Sequence, residues 1–108
     1  MWVEALTIVV QEGFSDQVVH RFSQEAAVEK APGFVDLSIL VKKARKGEEE
    51  IIVMIRWESE EAWKQWEVSE PHLEGHRRER EHGKPEFVLR SSSSVYAVKA
   101  VKTAPAAI

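Results

Sequence analysis

Three of the four tryptophans and three of the four histidines fall in one stretch, WESEEAWKQWEVSEPHLEGHRREREH, from Trp57 to His82. Indole rings give large apolar walls with one polar edge. Imidazoles bind metals and move protons near neutral pH. His72 and His76 stand four apart, so on a helix they share one face and can chelate a metal ion. The sequence HLEGH is nevertheless not HExxH, in which a glutamate directly follows the first histidine. Glu74 and Glu79 are the nearest carboxylates that could complete a zinc site.

The elements that must position these rings can be read outward from them. Ser59 follows an apolar run and suits a helix N-cap. Glu60 and Glu61 then complement the helix dipole in the first turn. Ala62, Trp63 and Trp66 recur at helical spacing and form one bulky face. Ser69 and Pro71 signal a second helix start, with proline close to the first helical position. Gly75 costs that helix about 1 kcal/mol relative to alanine, and it leaves space beside His76 for something flat.

Toward the N-terminus, Trp2 to Val10 reads as a strand ended by Glu12-Gly13. A helix is expected from Ser15 to Lys30, with Ser15 as N-cap and Val18, Val19, Phe22 and Ala26 on its apolar face. Ala31-Pro32-Gly33 stops it. Phe34 to Lys43 reads as a second strand and Ala44 to Glu49 as a hairpin turn built on Lys46-Gly47. The run EIIVMIRW, Glu50 to Trp57, reads as a third strand apolar on both faces. Beyond Gly83-Lys84-Pro85, Glu86 to Leu89 and Val95 to Val101 read as strand, interrupted at Arg90 and Ser91 to Ser94 by a bulge or bend. Residues 102–108 are expected to be a flexible tail.

The composition bounds the function. A chain of 108 residues fits one domain. It has no apolar run long enough to span a membrane. The first residues lack the basic region of a signal peptide, so none is expected. The absence of cysteine excludes disulfides and thiolate ligands and suits the cytoplasm. A net charge of −3 argues against a nucleic-acid partner. Arg77, Arg78 and Arg80 alternate with glutamates and read as a solvated helix end.

The resulting order, β-α-β-β-α-β, predicts an α+β, ferredoxin-like domain: an antiparallel sheet with helices on one face. The apolar third strand implies that the other face is covered. A second copy of the chain is the simplest cover, giving a homodimer with a dimeric α/β barrel.

At this point the chain resembles a known family. The order of elements, the phrases FSQEAAVEKAPGFVDLSILVKK and VMIRWESEEAWKQW, and the following H-x-E-G-H are similar to the antibiotic biosynthesis monooxygenase domain. Within it, they resemble the IsdG-type and HmoA-like heme-degrading monooxygenases of Gram-positive bacteria. The likeness covers roughly residues 2–100. It implies homodimers in which heme is substrate and cofactor together, O2 is the oxidant, and an external reductase donates electrons. Residue by residue, it puts the axial histidine on His76, the pocket tryptophan on Trp66 and a pocket aromatic on Phe22, with Arg21 before it. The family's first-strand asparagine falls on Leu6, so here the amide that would meet a distal ligand is replaced by an alkyl group.

These assignments have plainer counterparts. His76 could be an exposed helix histidine, Trp66 and Phe22 core side chains, and Arg21, Arg77 and Arg78 solvated charges paired with Glu25 or Glu81 rather than with heme propionates. Trp57 and Trp63 are expected in the core, and His20 and His82 in solvent. The reading that best joins these features is a heme-degrading monooxygenase that opens the porphyrin and releases iron. Two rivals are a cofactor-independent oxygenase of the same superfamily acting on a quinol-like aromatic, and a dimer that binds heme or another ligand without turnover.

Overall fold

The computed structural model describes residues 1–106. Its elements run β1 (Trp2–Gln11), α1 (Ser15–Ser23), a single 3-10 turn (Val28–Lys30), β2 (Phe34–Arg45), β3 (Glu48–Trp57), α2 (Glu60–Glu67), α3 (Glu70–His82) and β4 (Val88–Ala97). The strands form one antiparallel sheet in the order β2-β3-β1-β4, the expected ferredoxin-like arrangement.

Strand pairing fixes which side chains share a face. Leu6 lies opposite Val53 and Ser93, and Ile8 opposite Ile51 and Ser91. Alternation therefore sends Leu6, Ile8 and Val10 to one side with Ile51, Val53 and Ile55. Val18 of α1 closes over Ile8, Val10, Ile51 and Val53 in a buried cluster, with Leu6, Phe14, Phe22, Leu37 and Ile39 packed around it. Trp57 is fully buried at the far end of the same face, edge-on to Phe34. The opposite face carries Ala5, Thr7, Ile52, Met54, Leu40 and Tyr96, and among the described residues no helix packs there; Leu40 and Tyr96 remain about half exposed.

Four local expectations need correction. The first helix ends at Ser23 rather than Lys30. The Ser23 hydroxyl donates to the Val19 carbonyl, and the Glu29 carboxylate accepts the Ala26 N–H. These side-chain bonds compete with the helical ladder. Ser15 is not the N-cap; Phe14 occupies that position without a side-chain bond. The cap comes instead from β3: the Glu49 carboxylate accepts the Gly13 N–H at 2.6 Å and the Ser15 hydroxyl at 2.7 Å. These donors hold the Glu49 carboxyl below its ordinary range. Third, Arg90 to Ser94 do not interrupt the last strand. Ser91 to Ser94 pair with β1 in register, and the irregularity falls one step earlier, between the partners of Val9 and Val10. The strand ends at Ala97, so Val98 to Val101 are not strand; a single bond from the Val98 N–H to the Met1 carbonyl closes the ladder. Residues 99–106 carry no regular structure, and the rest of the expected tail lies outside the described residues.

Two turns need their glycines. Lys46 and Gly47 both have positive φ, 54° and 78°, the pair that a two-residue hairpin demands. Gly33 has φ 84°, and a Cβ there would collide with the Cβ of Ala62. The Glu58 N–H bonds the Gly33 carbonyl at 2.8 Å, so this glycine lets the β2 entry lie against the start of α2.

Candidate functional site

The Ser59 hydroxyl caps α2 as expected, accepting the Ala62 N–H at 3.1 Å. Trp63 and Trp66 then project toward the sheet. Trp66 lies near-parallel to buried Trp57, with ring centroids 6.3 Å apart. His72, in the first turn of α3, meets Trp66 edge-on at 5.3 Å, and His76 meets His72 edge-on at 4.4 Å. A continuous line of flat rings therefore runs from the end of β3 to the surface of α3: Trp57, Trp66, His72, His76.

Polar contacts accompany that line. His72 Nε2 is 3.0 Å from Glu67 Oε2 and also 3.0 Å from His76 Nε2. His72 is largely buried at its side chain (18% exposed), whereas the His76 side chain is 56% exposed. His76 Nδ1 faces Glu79 Oε2 at 3.9 Å, and Arg21 donates to Glu79 Oε1 at 3.0 Å. Around His76, Glu79, Arg80, Gly83 and Lys84 line an open depression of about 340 Å³.

Behind Glu67 stands Glu4 of β1. It occupies the helix-facing register, two residues before Leu6, and accepts the Trp63 indole N–H at 3.4 Å. Burial, reinforced by the negative charge of Glu67 and a hydrogen bond to it, lifts the Glu4 carboxyl from an ordinary 4.5 to about 7. The Trp63 N–H opposes that rise. Glu4 and Glu67 are a pair that reading the sequence missed. A signal was present: Glu4 is a carboxylate in phase with Leu6, Ile8 and Val10, the buried side of a strand.

The expected site residues separate into three groups. Trp66 and His76 belong to the ring line. Leu6 and Phe22 pack on the core beneath α1, half-buried. Arg21 sits at the surface, its guanidinium 5.4 Å from the Phe22 ring centroid, and its partner is Glu79 of α3 rather than Glu25 or Glu81. Arg77 pairs with Glu70 and Glu74, and Arg78 approaches Glu74 at 3.7 Å. As expected, Trp57 is core and His20 and His82 are exposed. His72 and His76 do converge, but among the described residues no three ligating side chains assemble to hold a metal ion.

What the arrangement can do follows from its donors. His76 offers an imidazole ring at a surface opening, beside Gly75, which has open space where a side chain would stand. Trp66 of α2 supplies a large ring on the far side of His72. A flat metallocycle with an available axial position suits both.

Comparisons with known proteins agree with this chemistry. The model of the antibiotic biosynthesis monooxygenase family matches residues 1–78. The chain is 46% identical, over 94% of each sequence, to the heme-degrading monooxygenase HmoA of Bacillus subtilis. A crystal structure described as an antibiotic biosynthesis monooxygenase from Bacillus cereus superposes with TM-score 0.84 at 50% identity, covering 95% of this chain and 97% of that one. The heme-degrader MhuD from Mycobacterium tuberculosis, with two hemes bound in its active site, superposes with TM-score 0.69 at 26% identity over 95% of this chain and all of its own.

Proposed function

The chain belongs to the antibiotic biosynthesis monooxygenase family, and from that premise we propose that it is a heme-degrading monooxygenase. The observation that carries the reading is the line of rings ending at an exposed His76, in a chain so similar to HmoA. Without cysteine, the residues able to serve as common axial donors are His, Met and Tyr. His76 is the one that lines an opening at the end of the ring line begun by Trp57 and Trp66.

When bound, heme supplies both the iron at which O2 is activated and the ring that is oxidised. The residues of this chain bind, orient and dry it. His76 would hold the iron through a ring nitrogen. Trp66, stacked on Trp57, would bear on the ring from one side. Leu6 and Phe22 form an apolar wall that excludes water. Arg21, already held by Glu79, stands where it can meet a propionate. Electrons come from an external reductase.

The functional unit is a cytoplasmic homodimer. Its support is the uncovered sheet face, where Ile52, Met54, Leu40 and Tyr96 have no helix of their own chain over them. No described helix is long and apolar enough to cross a membrane.

The test is a heme titration followed by reductant under air. The expected outcome is a Soret band that saturates with heme, is abolished in His76→Ala, and bleaches when ascorbate is added. Absence of a Soret band in the wild type would favour the cofactor-independent oxygenase reading. Binding without bleaching would favour a ligand-binding dimer. Leu6 favours that second reading, because an alkyl group offers bound oxygen no hydrogen bond.

A further inference from the structure

Two contacts at His72 cannot both be full hydrogen bonds. Its Nε2 is 3.0 Å from Glu67 Oε2 and 3.0 Å from His76 Nε2. A ring nitrogen carries either one proton or one in-plane lone pair. If His72 Nε2 held a lone pair, it could accept from His76, but it would point that lone pair at a carboxylate. With a proton it serves both neighbours, donating to the Glu67 carboxylate and to the lone pair of His76 Nε2. Glu4 fits this arrangement. As the proton-bearing member of the carboxyl pair it donates to Glu67, which leaves Glu67 as the acceptor facing His72.

We propose that His72 is a positioning residue that occupies the iron-binding nitrogen of His76 until heme arrives, and that Glu67 then takes over His72. This rests on the reading of His76 as the axial ligand. Heme and the His72 N–H compete for one lone pair. When His76 turns to the iron, the His72 donor is not orphaned, because Glu67 already accepts it. The cost of releasing His76 is thus one shared hydrogen bond, not a buried unpaired donor. Trp66 keeps the His72 ring in place by edge contact during the exchange.

Removing the competitor should tighten heme binding, the reverse of what a supporting residue would show. His72→Phe keeps a flat ring against Trp66 and deletes the nitrogen. It should lower the heme dissociation constant about two- to tenfold, the span of one net neutral hydrogen bond. Glu67→Gln replaces the charged acceptor with a neutral one and leaves His72 more firmly on His76, so heme should bind more weakly by up to a similar factor. Thermal midpoints measured beside each titration should show both variants folded. On heme-free wild-type protein, nitrogen-15 NMR of the imidazoles should show His76 with its proton on Nδ1 and an accepting Nε2, and Glu67→Gln should perturb that Nε2 resonance. Unchanged or weaker heme binding in a folded His72→Phe, or a protonated His76 Nε2 in the heme-free protein, overturns the proposal. Unaltered heme binding in His76→Ala would instead overturn the axial assignment, while the NMR measurement, made without heme, still decides whether His72 donates to His76.

Discussion

Replacing Glu4 by glutamine should flatten the pH dependence of folding stability between about pH 5 and 8. In the folded chain the Glu4 carboxyl is raised from 4.5 to about 7, first by burial and then by the charge of Glu67. The groups facing it can be named: Trp63 and Glu67 from α2, with Ile55 of β3 and Val95 of β4 at the cross-strand positions. Of these only Glu67 is ionisable. The sign follows from proton counting. Between 4.5 and 7 the folded carboxyl keeps a proton that the unfolded chain has lost, so stability falls as pH rises through that window and stays lower above it. A tenfold change in proton affinity is worth about 1.4 kcal/mol, so the rise of the Glu4 carboxyl amounts to about 3.5 kcal/mol at most, and less where solvent screens the carboxyl pair. Glutamine keeps the shape, can still accept from Trp63 and donate to Glu67, and has no proton to lose. At about pH 8 the variant should therefore be more stable than wild type by about 1–3 kcal/mol, while at about pH 5 the two should agree within about 0.5–1 kcal/mol. Urea unfolding of both chains across this range measures the difference directly, and the titrations of groups not in contact with Glu4 cancel in it. Parallel curves for the two chains would refute the reasoning, because they would show Glu4 ionised in the folded protein at neutral pH.

Three further outcomes are expected. Gly33→Ala should destabilise the fold by about 2–4 kcal/mol, combining the left-handed backbone penalty with an overpacked contact on Ala62, as read from the urea midpoint. Leu6→Asn should speed heme loss in reductant by up to about tenfold if its amide meets distal oxygen only in the transition state, at a desolvation cost of about 1–3 kcal/mol in stability; an unchanged rate with intact heme binding would place residue 6 away from the distal pocket. Sedimentation at micromolar concentration should give a dimer, and Met54→Glu on the uncovered sheet face should shift it toward monomer; a wild-type monomer would remove the dimer from the proposal.

The parts of the fold governed by local signals were legible in the sequence. Ser59 capped α2, Lys46-Gly47 turned the hairpin, and the alternation in β1 put Leu6, Ile8 and Val10 on the core side. The failures arose where a distant residue supplied what a local one seemed to offer. Ser15 looked like a cap because serine usually is one, yet Glu49, far along the chain, took the donors at the start of α1 and bound the Ser15 hydroxyl as well. Ser91 to Ser94 looked like a break because a serine run has weak strand propensity, yet pairing with β1 holds it in register. The site divides in the same way. Type, spacing and resemblance singled out Trp66 and His76, and the structure sets both on one line of rings. That His72 binds Glu67, that Glu67 meets Glu4, and that Arg21 meets Glu79 depend on which elements the sheet brings together.

That last dependence bears on how the site works. Sequence order puts Glu4 and His76 at opposite ends of the domain, but three contacts join them: Glu4 to Glu67, Glu67 to His72, and His72 to His76. Each link has a different character. The first is a carboxyl pair in which one member keeps its proton near neutral pH. The second is a charge-assisted bond, the strongest of the three in kind. The third is a neutral bond between two imidazoles, and it ends on the exposed ring. The neutral link to His76 is therefore weaker than the charge-assisted link behind it, so it is the one a ligand can break at least cost. If Glu4 and Glu67 were both ionised, their repulsion would push them apart and loosen the Glu67–His72 bond with them. Burial of Glu4 on the sheet prevents this up to about neutral pH. The stability loss predicted for wild type above that point and the hold of Glu67 on His72 thus have one physical origin, a carboxylate placed on the apolar side of β1.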